Sequence, residues 1–310
     1  MIVDLHAHVV PRDFPELDDR VRGLVRQNPA FHDAERRLEA MAASGVDVEV
    51  LSPLPPLLTY QASPPRGRDL CRDVNHTIAG LCAAEPNRFL GLGTVPLQDP
   101  DLAAEELSEV KGIGLHGIEV GSNVDGRSLG EERFWDFFQE AEHLRVPVFV
   151  HAYTPTTGDR LPGAAIATFG FATDVALAAA SVVTGGLAER CPDLRLAFSH
   201  GAGGFPLMLT RAERFWQLGI GGERTGRSPT ELARRFWYDA LVFDPRALRY
   251  LIDMLGPSQL LLGTDFPAMA REQPADATLR SLGLDAATHD AIAGGNCLRF
   301  LGIERGATPS

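Results

Sequence analysis

Two hydrophobic regimes alternate along the chain. Short, nearly unbroken apolar runs are separated by longer stretches in which apolar residues recur every three or four positions. The first regime predicts strands buried on both faces, and the second predicts amphipathic helices. Strands are expected at 2–8, Val46-Asp47-Val48-Glu49-Val50-Leu51, Phe89 to Val95, Leu115 to Gly121, Val146 to His151, Leu194 to His200, Phe236 to Leu241 and Gln259 to Asp265. Helices are expected at 33–44, 67–85, 100–111, 130–144, 173–190, 203–218, 229–235, 245–255 and 286–300, with Gly45 and Pro86 as stops after the first two. A Pro-rich loop at 53–65, an insertion at 152–170 and a Gly/Arg-rich loop at 219–228 are placed to act as lids. Residues 304–310 are expected to be a frayed tail.

Strands alternating with helices favour a parallel sheet. Eight such units in 310 residues fit a single (β/α)8 TIM barrel over 1–303, with loop insertions at the C-terminal face. A doubly wound open sheet is the alternative. No internal repeat, low-complexity tract or clear domain boundary divides the chain.

Composition narrows the class of protein. Apolar residues make up 45% and charged residues 23%, as in soluble globular chains, and the formal net charge is −12. An acidic body argues against nucleic acid and anionic membrane as partners, while local arginines can still hold an anionic small molecule. No apolar run reaches about 18 residues, so no membrane-crossing helix is expected. Cys71, Cys82, Cys191 and Cys297 show no paired spacing. With no secretory segment at the N-terminus, they read as reduced, buried thiols of a cytoplasmic protein.

The candidate chemistry lies at strand ends. His6 and His8 close the first strand, and their i, i+2 spacing turns both imidazoles to one face. Taken alone, the pair is an ordinary strand end. His151 closes the fifth strand, His200 the sixth and Asp265 the eighth. In a barrel these ends share one rim, where chemistry takes place. Neutral imidazole suits borderline metals such as Zn²⁺.

Four motifs make a resemblance specific. They are Val3-Asp4-Leu5-His6-Ala7-His8, Val148-Phe149-Val150-His151, Ser199-His200-Gly201-Ala202-Gly203-Gly204-Phe205-Pro206 and Gly263-Thr264-Asp265-Phe266-Pro267. The chain resembles the metal-dependent amidohydrolase superfamily, in the branch of aminocarboxymuconate-semialdehyde decarboxylase. The resemblance implies one Zn²⁺ held by His6, His8, His151 and Asp265, completed by water, with His200 as general acid/base. It also implies a second role for Asp265, as a base toward that water. The expected activity is non-oxidative decarboxylation of a small planar carboxylate, a muconate semialdehyde or a hydroxybenzoate. The same site could instead hydrolyse an amide or lactone or hydrate a double bond, and a catalytically dead binding module is a third reading.

The resemblance places Arg211 where a substrate-carboxylate arginine reaches in from the neighbouring subunit of a homodimer. A solvated helix-face arginine is the alternative. Arg22 and Arg26 flank the place of a second such arginine. Ala152-Tyr153 stand where the decarboxylases carry Pro-Trp, which alters the pocket wall and makes Tyr153 a candidate substrate contact. Glu119 occupies the strand from which binuclear relatives bridge two metals. A role in pocket polarity or in a buried pair is the other reading of it.

Overall fold

The computed structural model describes residues 1–220 and 226–303. The expected tail, and positions 221–225 of the Gly/Arg-rich loop, lie outside the described residues. Eight parallel strands stand in sequence order around a barrel: β1 Val3–Val9, β2 Val48–Pro53, β3 Phe89–Gly93, β4 Gly117–Gly121, β5 Val148–His151, β6 Leu196–Phe198, β7 Trp237–Asp239 and β8 Leu260–Leu261. The seam between β8 and β1 is closed by main-chain hydrogen bonds beyond the short β8 ladder. Leu5 N–H donates to Leu262 O (2.9 Å), Asp265 N–H to His6 O (2.8 Å) and His8 N–H to Phe266 O (2.6 Å). This is the expected (β/α)8 barrel, and the open-sheet alternative falls.

Register within β1 has a consequence for the site. Asp4 pairs with Glu49 and Ala7 with Leu51 on β2, so Leu5 and His6 together stand opposite Val50. That is a β-bulge. It leaves Asp4 and Glu49 on the outer face while His6 and His8 turn inward. The lower barrel interior is apolar: Val3, Leu5, Val50, Leu90, Leu92, Phe149, Ala197 and Leu261 pack with Cys297, Leu298, Phe300 and Leu301 of the last helix. A larger apolar layer lies between the strands and the outer helices. All four cysteines are free and buried.

Most helices begin and end where local chemistry directs. The Asp33 carboxylate caps Ala34–Ser44, and Gly45 ends it in the left-handed region at φ 74°. The long helix runs Pro64–Ala84, three residues earlier than expected, because proline is tolerated in a first turn that needs no intrahelical N–H donor. The helix expected at 130–144 is confined to Trp135–His143, since an antiparallel pair at 123–128 and a 3₁₀ turn at Glu132–Phe134 precede it. The helix expected to reach 190 stops at Thr184, where Gly185 and Gly186 follow, the latter at φ 88°. Helix Asp19–Gln27 falls in a stretch with no expected element; Asp18 caps it, and only Val21 and Val25 bury it.

The expectation about membrane-length helices needs correction. Ile166–Thr184 is long and apolar enough, by composition, to cross a membrane. Its one charge, Asp174, is buried and accepts hydrogen bonds from Ser122, Asn123 and Thr156, which ties the helix to the barrel loops. Its outer side carries exposed Phe169, Phe171 and Leu177.

Candidate active site

Four donors expected from the sequence converge at the C-terminal mouth of the barrel. His6 Nε2 lies 3.2 Å from His8 Nε2 and 2.8 Å from His151 Nε2. Asp265 Oδ1 lies 3.1 Å from His8 Nε2 and 3.7 Å from His6 Nε2. The ligand atoms of His6, His8, His151 and Asp265 all fall within 4.8 Å of one another. Gly263 makes room for this: a Cβ there would sit 2.8 Å from His6 Cβ and 3.2 Å from Asp239 Cβ.

The outward ring nitrogens decide the tautomers. His6 Nδ1–H donates to Asp239 Oδ2 (2.7 Å), His8 Nδ1–H to Pro53 O (3.0 Å) and His151 Nδ1–H to Ala152 O (2.8 Å). A carboxylate or carbonyl oxygen can only accept, so each Nδ1 carries a proton, and each ring in its neutral form turns an Nε2 lone pair inward. Three lone pairs and a carboxylate facing one point repel one another unless a cation lies between them. This donor set, with its outer hydrogen bonds, fits a divalent metal ion of the borderline class.

The electrostatics agree. Burial, and after it the like charge of His6, hold His151 well below the ordinary imidazole pKa, and burial depresses His8 likewise, so both rings stay neutral, as ligands to a metal would have to be. Burial also opposes a charge on His6. The Asp239 hydrogen bond and the Asp265, Asp239 and Glu119 carboxylates outweigh it, and the pKa rises to about 9. The carboxylates thus demand positive charge where the rings meet. Burial would raise Asp265. The His8 hydrogen bond and the positive charge of His6 instead keep it well below the carboxylate range.

His200 completes the group. Its ring centroid lies 5.3 Å from those of both His6 and His151, and burial followed by the like charge of His6 depresses its pKa. His200 (φ 52°) and Asp265 (φ 58°) both occupy the left-handed region without being glycine. Such backbone costs on the order of 1 kcal/mol or more per residue and collects at functional sites.

The other expected residues divide. Glu119 is fully buried inside the barrel, with Oε2 4.0 Å from His8 Nδ1 and neither oxygen hydrogen-bonded; burial raises its pKa to about 8. Tyr153 follows the site, with its hydroxyl donating to Gln61 Oε1 (3.1 Å) and its ring against Tyr60. Arg22 donates to the carbonyls of Leu17 and Pro15 (both 2.9 Å) and braces its own loop, while Arg26 is exposed on the same helix. Arg211 is exposed on helix Phe205–Leu218, its guanidinium over the Phe215 ring at 4.4 Å. Asp239 escaped the sequence reading. The available signal was a single acid closing the apolar β7, at the rim position that histidine or aspartate takes on the other site-forming strands.

A closed parallel barrel carrying three histidines and an aspartate at its C-terminal mouth defines a metal-dependent barrel enzyme. The chain belongs to the amidohydrolase family, whose profile matches residues 3–303. It is 30% identical to the 2-amino-3-carboxymuconate-6-semialdehyde decarboxylase of Dictyostelium discoideum, over 97% of this chain and 92% of that one. Its fold superposes on the 5-carboxyvanillate decarboxylase of Sphingomonas paucimobilis with TM-score 0.86 at 26% identity, covering 98% of this chain and 99% of that one. A dihydroxybenzoic acid decarboxylase from Polaromonas, solved with bound manganese, shares the fold at TM-score 0.86 and 23% identity, covering 97% of this chain and 96% of that one.

Proposed function

We propose that this chain is a divalent-metal-dependent decarboxylase of a small planar carboxylate, of the muconate-semialdehyde or hydroxybenzoate type, with Zn²⁺ or Mn²⁺ in the site. The carrying observation is the convergence of His6, His8, His151 and Asp265 beside His200, in a chain whose relatives are decarboxylases. When bound there, the metal supplies Lewis acidity and a fixed positive charge that orients an anionic substrate. The protein supplies the proton. As the C–CO₂⁻ bond breaks, its electron pair stays on the ring or chain carbon, which must take up H⁺ while CO₂ leaves. His200, neutral at pH 7 and held against the donor cluster, takes a proton from solvent and delivers it to that carbon. Tyr153, at the mouth, lines the wall against the planar substrate.

The substrate carboxylate needs a guanidinium, and Arg211 supplies it from a second copy of the chain. Support comes from its setting. Leu207 and Met208 on its own helix, and Phe169, Phe171 and Leu177 on a neighbouring helix packed against it, are exposed apolar residues of the kind that a homodimer covers. The test is a panel of 2,6-dihydroxybenzoate, 5-carboxyvanillate and 2-amino-3-carboxymuconate semialdehyde. CO₂ release should follow addition of Zn²⁺ or Mn²⁺. Hydrolysis of lactones or amides without CO₂ release from any acid would overturn the reading.

A further inference from the structure

Behind the barrel wall lies a charge cluster that the proposed chemistry does not use. Asp4, Glu49, Arg37 and Arg271 have side chains 0, 0, 0 and 3% exposed. Arg271 donates through Nε and Nη2 to Asp4 Oδ2 (3.2 and 3.0 Å) and through Nη2 to Glu49 Oε1. Arg37 Nε donates to Glu49 Oε2 (2.7 Å). Two charges of each sign balance. A buried ionic network of this kind is poor at stabilising a fold compared with apolar packing of the same volume. What it holds therefore matters more than what it contributes.

It holds the metal ligands by their main chain and their sequence neighbours. The bulge in β1 takes the His6 amide out of the β1–β2 ladder, and Asp4 Oδ1 accepts from it instead (3.2 Å). Arg37 Nη1 donates to His8 O (2.8 Å) and Ala30 O (2.6 Å). Across the seam, Thr264 Oγ1 donates to Asp4 Oδ2 (2.5 Å), and Arg271 Nε reaches the same hydroxyl (3.2 Å). The Phe266 ring stacks on the Arg271 guanidinium at 4.0 Å. Thr264 and Phe266 are the two residues that flank Asp265. One guanidinium thus grips both neighbours of the carboxylate ligand and, through Asp4, the backbone of the first histidine ligand.

We propose that Arg271 is a positioning residue for the metal centre: through Asp4, Thr264 and Phe266 it fixes the spacing between the His6/His8 bulge on β1 and Asp265 beyond β8. The inference rests on the metal-centre reading, and wild-type protein tests that reading in the same experiment. Chelator-stripped protein is titrated with Mn²⁺, free ion is followed by electron paramagnetic resonance, and Tm is measured without metal. Thr264→Val deletes only the hydroxyl and leaves every charge paired. Arg271→Lys keeps the charge but not the fork. Leu107→Ala, a buried position on helix Pro100–Gly112 outside the cluster, controls for general destabilisation.

Thr264→Val and Arg271→Lys should each weaken Mn²⁺ binding about tenfold or more, while Leu107→Ala binds as wild type despite a lower Tm. Wild-type affinity in a folded Thr264→Val overturns the proposal, as does an equal loss of affinity in Leu107→Ala. Should Arg271→Lys not fold, Thr264→Val decides. Wild-type protein that takes up neither Mn²⁺ nor Zn²⁺ strikes the metal-centre reading itself.

Discussion

His6 Nδ1–H donates to Asp239 Oδ2 at 2.7 Å, across 233 residues of chain and with both side chains fully buried. Asp239 Oδ1 is already committed to Gly201 N–H (2.9 Å) and Leu241 N–H (3.2 Å). In Asp239→Asn those two amides keep the side-chain oxygen, so the new NH₂ faces His6 and forces its ring into the wrong tautomer. Metal affinity should fall by about 10- to 100-fold with little unfolding. Metal content after dialysis against a buffered chelator measures it.

Stripping the metal should abolish CO₂ release and lower Tm together, because one cation serves both. A ligand at about a thousand times its Kd stabilises the fold by about 4 kcal/mol. Calorimetry with and without chelator, followed by add-back of Zn²⁺ or Mn²⁺, checks both arms and ranks the two ions.

His200→Asn should retain metal and lose about 10²- to 10⁴-fold in kcat. Burial and the like charge of His6 depress the His200 pKa below 6.5. The proton-donating form is therefore the minor one at pH 7, and kcat should rise as pH falls toward about 6.5 and decline as pH is raised above about 7. A wild-type rate that climbs steadily from about pH 6 to about pH 8 would contradict the assignment.

Glu119 gives the metal-free protein a pH signature. Burial raises its carboxyl from 4.5 to about 8 in the fold. Between those values the unfolded chain loses this proton and the folded chain keeps it. Glu119 thus subtracts from stability as pH rises through the window, at a slope approaching about 1.4 kcal/mol per pH unit. Glu119→Gln should remove that slope, so its stability relative to wild type should climb from pH 4.5 to 8 in chelator. Parallel curves for the two proteins would refute it.

In the proposed homodimer, Arg211→Ala and His200→Ala should each be inactive on their own. If Arg211 acts in trans, a refolded equal mixture has one intact site in each hybrid dimer and recovers about a quarter of wild-type activity. No recovery would mean that the arginine serves its own subunit or none.

The sequence by itself determined the eight strands, most of the helices and the donors His6, His8, His151 and Asp265, with His200 beside them. These were legible because periodicity and capping are local, and because a parallel barrel brings every strand's C-terminal end to one rim. Only the tertiary structure decided the rest. Asp239 is a lone acid until the barrel closes and sets it against His6. The bulge at Leu5 and His6 exists only as a register against β2. Arg271 joins Asp4 across 267 residues. Helix Asp19–Gln27 buries just Val21 and Val25, too few positions to leave a period. Contacts between distant segments are set by packing and charge pairing in three dimensions, and these leave no periodic trace in a single chain.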